Sequence, residues 1–273
     1  MRIKPQNIAL NAFIFILAII VAFPLFWMLS VSFMAAGEAS TFPPPLLPKQ
    51  TQTSAYHELF SSSGLWKYLF NSIFLAICAT ILSLTFNVTA GYAFAKLKFK
   101  GREAMFQTLL AAMVVPAQVG MMPLFLLLKT FGLVNTYAGA LVPWIASVFG
   151  IFMVRQFAQS IPDEMLEAAR MDGANEWQIF TKLIVPNLMP VMVTLGLFTF
   201  LGSWNDFMWP LIIMTDSNSY TLPVALAVLS REHVQDSEMM MAGAVITVLP
   251  VLILFIALQR FYMRGLLASS VKG

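Results

Sequence analysis

Charged side chains are scarce in this sequence. Asp, Glu, Lys and Arg make up 11% of its 273 residues, against about 25% in soluble globular domains. Hydrophobic residues make up 59%, with 24 Phe and 18 Met. So few charged groups cannot cover a large water-facing surface, and lipid must cover part of it. The composition therefore excludes a soluble globular domain, and the net charge of +3 is too small to indicate a nucleic-acid binder.

Patterns for catalysis and metal binding are also missing. The single cysteine, Cys78, excludes an internal disulfide and a cysteine-based metal site. The sequence contains no GxxxxGK[ST] phosphate loop, so this chain is not expected to hydrolyse ATP by itself. His57 and His233 lie far apart in polar loops, without carboxylates at metal-ligand spacing, and are expected to be surface residues. We therefore expect a non-catalytic subunit that has no catalytic residue, no metal and no cofactor of its own.

Six stretches that lack Asp, Glu, Lys and Arg are each long enough to cross a bilayer. A helix needs about 20 apolar residues to cross a hydrocarbon core of about 30 Å, and a helix pairs its backbone groups internally. The sequence thus predicts an all-α, polytopic membrane protein with six transmembrane helices in one domain, residues 1–273. The predicted spans are residues 10–34, 68–95, 104–128, 137–157, 188–214 and 239–262. The first is far longer than the roughly 7–15 apolar residues of a secretory signal, so we expect a retained anchor.

The basic residues are distributed unevenly between the loops. With the N-terminus inside, only four of the 16 Lys and Arg residues lie outside: Lys49, Lys67, Lys129 and Arg231. This bias predicts that both termini are cytoplasmic. The outer loops are then residues 35–66, too rich in proline for a continuous helix, and about 215–238. The longest inner loop spans residues 158–187.

The inner loop 158–187 has the local chemistry of two short helices. Pro162 suits the first helical position, acidic residues follow it, and Gly173 allows a left-handed turn that ends the helix. Asn175 and Gln178 are spaced as in a capping box that begins a second helix, and Pro186 marks the entry into the next span. The first helix offers small and apolar side chains to a groove in a partner; these are Met165, Leu166, Ala168, Ala169 and Met171. Its spacing is equally typical of an amphipathic helix on the lipid surface.

The same loop resembles the EAA loop of bacterial ABC importer permeases. Glu167-Ala168-Ala169 is followed by three residues, Gly173, nine residues and the apolar segment 183–186 (LIVP). Further stretches resemble the carbohydrate-uptake branch and its maltose-permease G-type subunits, also described as binding-protein-dependent transport system inner membrane components. These stretches are Asn71-Ser72, 90–95 (AGYAFA), 123–125 (PLF), 132–136 (GLVNT), 204–207 (WNDF), 221–223 (TLP), 264–266 (RGL) and the tail 271–273.

The resemblance implies a type I ABC importer permease in a bacterial cytoplasmic membrane, one half of a translocation pathway for sugar. It implies a second, non-identical permease, two ATPase subunits that bind ATP and Mg, and an outer sugar-binding protein. The residues that would couple to the ATPase are Glu167, Ala168, Ala169, Arg170, Asp172 and Gly173. Permeases for other solutes, such as glycerol phosphate or polyamine, and an ion-coupled secondary carrier are the alternatives.

Polar residues inside the predicted spans are candidates for the substrate path, because polar groups in the membrane tend to face a cavity or another chain. The candidates are Asn71, Trp204, Asn205 and Asp206. Sugars are recognised by aromatic faces and by hydrogen-bonding amides. Trp204 supplies an aromatic face and Asn205 an amide next to the carboxylate of Asp206. A helix-packing or helix-end carboxylate near the outer interface is the alternative for Asp206, and interhelical hydrogen bonding is the alternative for Asn71.

Overall fold

The computed structural model describes residues 5–61, 64–232 and 236–270, in which all regular secondary structure is helical. This confirms the predicted all-α class. The predictions for His233 and the tail 271–273 lie outside these residues. The helices are α1 (Pro5–Val31), α2 (Ser54–Ser61), α3 (Leu65–Lys96), α4 (Arg102–Ala112), α5 (Ala117–Thr130), α6 (Tyr137–Leu141), α7 (Val148–Gln159), α8 (Asp163–Met171), α9 (Glu176–Gln178), α10 (Val185–Trp204), α11 (Met208–Ile213), α12 (Leu222–Glu232) and α13 (Ser237–Ser270).

Four described helices are long and apolar enough to cross a membrane. They are Leu10–Val31 in α1, α3, the continuous helix Glu176–Trp204, and Ser237–Gln259 in α13. Two further candidates are bent pairs of helices: α4 and α5 meet at 103°, and the helices from Tyr137–Trp144 and Val148–Gln159 meet at 45°. If each bent pair is one span, the total is six, as the sequence predicts.

Proline explains the first of these bends. Pro116 disfavours the helical conformation at the residue before it, and α4 accordingly ends at Ala112 while α5 begins at Ala117. Pro143 lies in a 3-10 turn between α6 and α7. Pro116 therefore turns one apolar stretch of sequence into a broken span, and Pro143 lies shortly before the break in the other.

The described residues form two compact units, and the first comprises Met1–Trp66 with Ala225–Ile253. In this unit the proline-rich segment between α1 and α2 is irregular, as predicted, and two buried carboxylates hold it. Glu38 accepts hydrogen bonds from the backbone N–H of Ala35 at 3.1 Å and of Lys49 at 2.8 Å. Glu238, at the start of α13, accepts from the backbone N–H of Ala39 at 2.9 Å.

The second unit comprises Lys67–Val224 with Leu254–Gly273. Its largest buried cluster joins α3, α7, α8 and α10, and includes Val88, Val154, Leu166 and Leu188. Gly91 allows α7 to approach α3 closely, because a Cβ there would lie 2.6 Å from the side chain of Val154. The second unit therefore packs the EAA loop against two of the long helices.

The second polar loop, predicted at about 215–238, differs from expectation because much of it is the helix α12. Its first turn is apolar, and Leu222 and Val224 are both 0% exposed. The hydroxyl of Ser72 on α3 accepts a hydrogen bond from the backbone N–H of Leu222 at 2.7 Å. Eleven residues are too few to cross a membrane, so the search for long apolar stretches misses this helix.

Candidate functional site

The short helix α8 carries most of the residues that the EAA pattern singles out. It begins at Asp163. Pro162 is therefore the N-cap residue and not, as the sequence predicts, the first helical residue. Asp163 and Glu164 place negative charge in the first turn, where the helix dipole is positive. The helix ends at Met171, and Gly173 has a φ of 82° in the following turn. The left-handed glycine predicted from the sequence is thus confirmed.

One face of α8 packs into its own protein. Leu166 is 2% exposed and belongs to the buried cluster of the second unit, and Ala169 packs against the same cluster. The prediction that Leu166 offers its side chain to a partner is therefore wrong, whereas Ala169 is only half-buried and its role at a partner surface stays a prediction. A repeat of three residues on a helix returns to one face, and the buried cluster takes the face of Leu166 and Ala169. Ala168 and Met171 are exposed, the latter at 88%.

An ion pair fixes the beginning of α8 to the end of α3. The ammonium of Lys96 lies 2.6 Å from a carboxylate oxygen of Asp163 and also donates to the backbone carbonyl of Ile161. The Lys96 ammonium, through this hydrogen bond, holds the pKa of the Asp163 carboxyl below its ordinary value. The side chain of Lys96 is 5% exposed and that of Asp163 is 74% exposed, so a covered lysine anchors the exposed first turn of α8.

A second ion pair ties the end of α8 to the start of the next helix. The guanidinium of Arg170 lies 2.8 Å from Glu176, and the Tyr92 hydroxyl donates to the other carboxylate oxygen at 3.3 Å. Hydrogen bonding to Glu176 raises the pKa of the Arg170 guanidinium. The sequence suggests Arg170 for pairing with a partner protein, whereas the structure pairs it within the chain.

The second helix of the EAA loop begins as predicted. Asn175 and Gln178 form a capping box, with each side chain accepting from the other residue's backbone N–H at 2.9 Å. The helix then continues through a π-helical segment, Ile179–Ile184, directly into α10. The π turn is wider than an α turn. Pro186 follows it in the first turn of α10 and does not interrupt the helix. The EAA loop is thus mechanically continuous with a candidate span.

Asn71, a predicted path residue, makes hydrogen bonds only within the protein. It is 1% exposed, and its amide donates to the backbone carbonyls of Asn218 at 3.2 Å and Tyr220 at 2.9 Å. Its carbonyl accepts from the Tyr137 hydroxyl at 2.7 Å. These contacts fit the packing alternative stated above, and a role in the substrate path stays a prediction.

The three consecutive path candidates point in different directions. Trp204 is 1% exposed and stacks on Phe200 with 6.1 Å between ring centroids. Asn205 is exposed and its amide donates to the backbone carbonyl of Leu201 at 2.9 Å. Asp206 is half-buried and lines a cavity. Of the four predicted path residues, the structure places only Asp206 in the lining of this cavity.

The cavity has a volume of about 470 Å³, within the range of about 300–1,000 Å³ typical of small-molecule sites. It lies in the second unit and is lined by Ala117, Gly120, Met121, Leu124, Pro143, Trp144, Gly202, Asp206 and Trp209. Sequence reasoning misses Trp144, because it is 62 positions from Asp206 by residue number and only the fold brings them together. The pair of a tryptophan and a proline at 143–144 is the only local signal.

Hydrogen bonds hold the polar groups of this cavity in place. The Asp206 carboxylate accepts from the backbone N–H of Trp209 at 3.3 Å and from the Trp144 indole. The indole N–H of Trp209 donates to the carbonyl of Gly139 at 3.2 Å. Within the described part of the chain, no three His, Cys, Asp or Glu residues lie close enough together to hold a metal ion.

Comparison with known proteins identifies the family. Residues 87–267 match the family described as binding-protein-dependent transport system inner membrane component. The chain is 36% identical over 260 residues to the arabinooligosaccharides transport system permease protein AraQ of Halalkalibacterium halodurans, covering 94% of this chain and 93% of that protein. It is 31% identical over 254 residues to the diacetylchitobiose uptake system permease protein NgcG of Streptomyces coelicolor, covering 92% and 84%.

A solved structure shares the fold. A crystal structure of a bacterial ABC transporter that imports the acidic polysaccharide alginate contains a chain with a TM-score of 0.83 and 24% identity. The match covers 96% of this chain and 99% of that one. The chain described here belongs to the binding-protein-dependent transport system inner membrane component family. It is a multi-pass membrane permease of the ABC importer class.

Proposed function

We propose that this chain is the permease subunit of an ATP-driven carbohydrate importer in a bacterial cytoplasmic membrane. The observation that carries the proposal is the EAA loop, whose pattern residues lie on an exposed helix anchored to two long helices. In this proposal a second, non-identical permease completes the pathway and an outer sugar-binding protein delivers the cargo. Two ATPase subunits bind ATP and Mg and supply the energy, which leaves this chain without catalysis of its own.

The exposed face of α8 is the proposed docking surface for the ATPase. Glu164, Glu167, Ala168 and Met171 are all exposed, and their spacing of three and four residues places them on one helix face. Small Ala168 permits close approach, while Glu167 can accept hydrogen bonds from a basic or backbone donor. Arg170, Asp172 and Gly173 shape the end of this surface. The basic bias of the inner loops supports a cytoplasmic position for α8 and for both termini.

The anchors of α8 provide the proposed route for motion. The Lys96–Asp163 ion pair joins α8 to α3, and the Arg170–Glu176 pair joins it to the helix that becomes α10. Because Leu166 packs into the same buried cluster as α3 and α10, α8 is expected to move with both helices. Closure of the ATPase subunits would then displace the spans and open the pathway alternately to the two sides.

Carbohydrate is the proposed cargo because both relatives named above are permeases for oligosaccharides. A phosphorylated cargo would favour basic residues along the path, and the residues that line the cavity at Asp206 include no Lys, Arg or His. An ion-coupled carrier would need ionisable residues within the membrane for coupling. In the predicted spans Asp206 is the candidate for that role, since Arg155 and Arg260 lie near the ends of their spans.

The proposal is tested by purifying the tagged chain in mild detergent and identifying the retained proteins by mass spectrometry. Wild type should retain an ATPase and a second permease. Glu167→Lys should lose the ATPase and keep the second permease, because it reverses the charge at the centre of the docking face. Glu58→Lys, an equal change at an exposed site on α2, should keep both. Full ATPase retention and ATP-driven uptake by the Glu167→Lys variant would contradict the proposed docking surface.

A further inference from the structure

The cavity at Asp206 combines one carboxylate with two indole rings. Its remaining lining is small or apolar, from Ala117, Gly120, Met121, Leu124, Pro143 and Gly202. Asp206 is the only ionisable residue among those that line it. The cavity therefore offers a ligand one fixed negative charge, with no basic group to compensate an anion.

The indole of Trp144 supplies the aromatic contact surface of this cavity. The N–H of Trp209 donates to Gly139 and the N–H of Trp144 to Asp206. Gly202 lets the Trp144 ring lie against α10, because a Cβ there would be 2.9 Å from that ring. Trp144 is half-buried, and with its polar atom bonded inside the protein it offers mainly apolar surface, which suits the C–H face of a sugar ring. Trp209 is 2% exposed and forms part of the cavity wall.

The carboxylate has further hydrogen-bonding capacity. An ionised carboxylate has about four acceptor sites, and the backbone N–H groups of Trp209 and Met208 and the indole N–H of Trp144 use three of them. A sugar hydroxyl donates to such an acceptor readily, whereas a uronic acid or a phosphate would be repelled by it. The chemistry of the cavity thus matches a hydroxylated, uncharged ligand.

We propose that this cavity binds a sugar unit of an uncharged oligosaccharide and disfavours acidic sugars, with Asp206 accepting hydroxyl hydrogen bonds and Trp144 stacking on the ring. The proposal rests on the proposed function and adds two things to it, a substrate-contact site in this subunit and the charge class of its cargo. The transporter whose solved structure shares this fold is involved in the import of an acidic polysaccharide. The fold by itself therefore does not determine the charge of the cargo.

Gly120 offers a way to fill the cavity without disturbing its walls. It lies on α5 in the cavity lining, and a Cβ added there would meet nothing within 4 Å. Val119, its neighbour, is 66% exposed and does not line the cavity. Gly120→Phe and Val119→Phe thus add the same ring at adjacent positions, only one of which is in the cavity lining.

The test uses the complete importer in lipid nanodiscs, with its second permease and ATPase and without a binding protein, so that bound sugar reports on the permeases. The probes are tritiated arabinotriose and diacetylchitobiose, which are uncharged, and trigalacturonate, which is acidic. Wild type should retain a neutral probe at least about ten-fold more strongly than the acidic one. Asp206→Asn should reduce that preference to below about three-fold, since the amide accepts hydrogen bonds without repelling an anion.

The matched pair locates the binding site. Gly120→Phe should reduce retention of the neutral probe at least about ten-fold, and Val119→Phe should leave it within about two-fold of wild type. The proposed site is overturned if the two variants retain the neutral probe equally, or if wild type does not retain a neutral probe at all. If wild type retains trigalacturonate as strongly as the neutral probes, the proposed charge class is overturned. If the Gly120→Phe variant loses the second permease, a helix of that partner fills the cavity instead of a sugar. The proposed function fails by a separate outcome, a purified wild-type chain without an ATPase.

Discussion

Replacing Gly173 by valine tests whether the turn after α8 is needed for coupling. Gly173 has a φ of 82°, and this left-handed conformation costs a residue with a side chain about 1–2 kcal/mol. An added Cβ would meet nothing within 4 Å, so the penalty comes from the backbone and not from a collision. A penalty of this size lowers the population of the native turn by about 5–30-fold.

The assay is sugar-dependent ATP hydrolysis by the reconstituted importer. Gly173→Val should lower it by about 5–30-fold, while the amount of chain inserted in the membrane stays unchanged. Gly132→Val is the matched control, because Gly132 has a φ of 69° and a Cβ added there would also meet nothing within 4 Å. Since Gly132 lies between α5 and α6, the same backbone strain outside the EAA loop should spare coupling.

A conservative variant separates strain from the loss of glycine itself. Asparagine tolerates the left-handed conformation, and Asn135 of this protein adopts it with a φ of 59°. Gly173→Asn should therefore retain most of the sugar-dependent ATP hydrolysis. Wild-type hydrolysis by a well-inserted Gly173→Val variant would refute the reasoning, and so would an equal loss in Gly132→Val.

Three further perturbations have defined outcomes. Arg170→Glu should lower sugar-dependent ATP hydrolysis, and adding Glu176→Arg should restore part of it by re-forming the ion pair; no restoration would argue against this pair as an anchor. The pKa of Asp163 is lowered, so its contribution to stability is present above the ordinary value of 3.8 and is lost as pH falls through the lower folded value. The amides of α8 should lose protection from hydrogen exchange over that pH range in wild type. The Asp163→Asn variant, measured at the same pH values, should show no such loss. Gly91→Ala should destabilise the protein by about 1–3 kcal/mol through overpacking, with Gly120→Ala unchanged in the same thermal-unfolding measurement; equal stability of the two would contradict the close packing of α3 and α7.

Much of the fold follows from local sequence signals. Apolar stretches of about 20 residues predict the spans because the bilayer requires that length. The capping box of Asn175 and Gln178 and the left-handed Gly173 depend on residues within one turn of each other. The structure contains all of these features. The helix α12 is missed because its eleven residues satisfy no rule for a span.

The sequence by itself determined the class of protein, the number of apolar stretches and the EAA loop, because each depends on composition or on residues close together in the chain. Only the tertiary structure decided which face of α8 is buried, since Leu166 and Met171 are both apolar and differ only in what packs against them. The same holds for the cavity. Trp144 and Asp206 come from distant parts of the chain, and their meeting depends on how the bent helices pack.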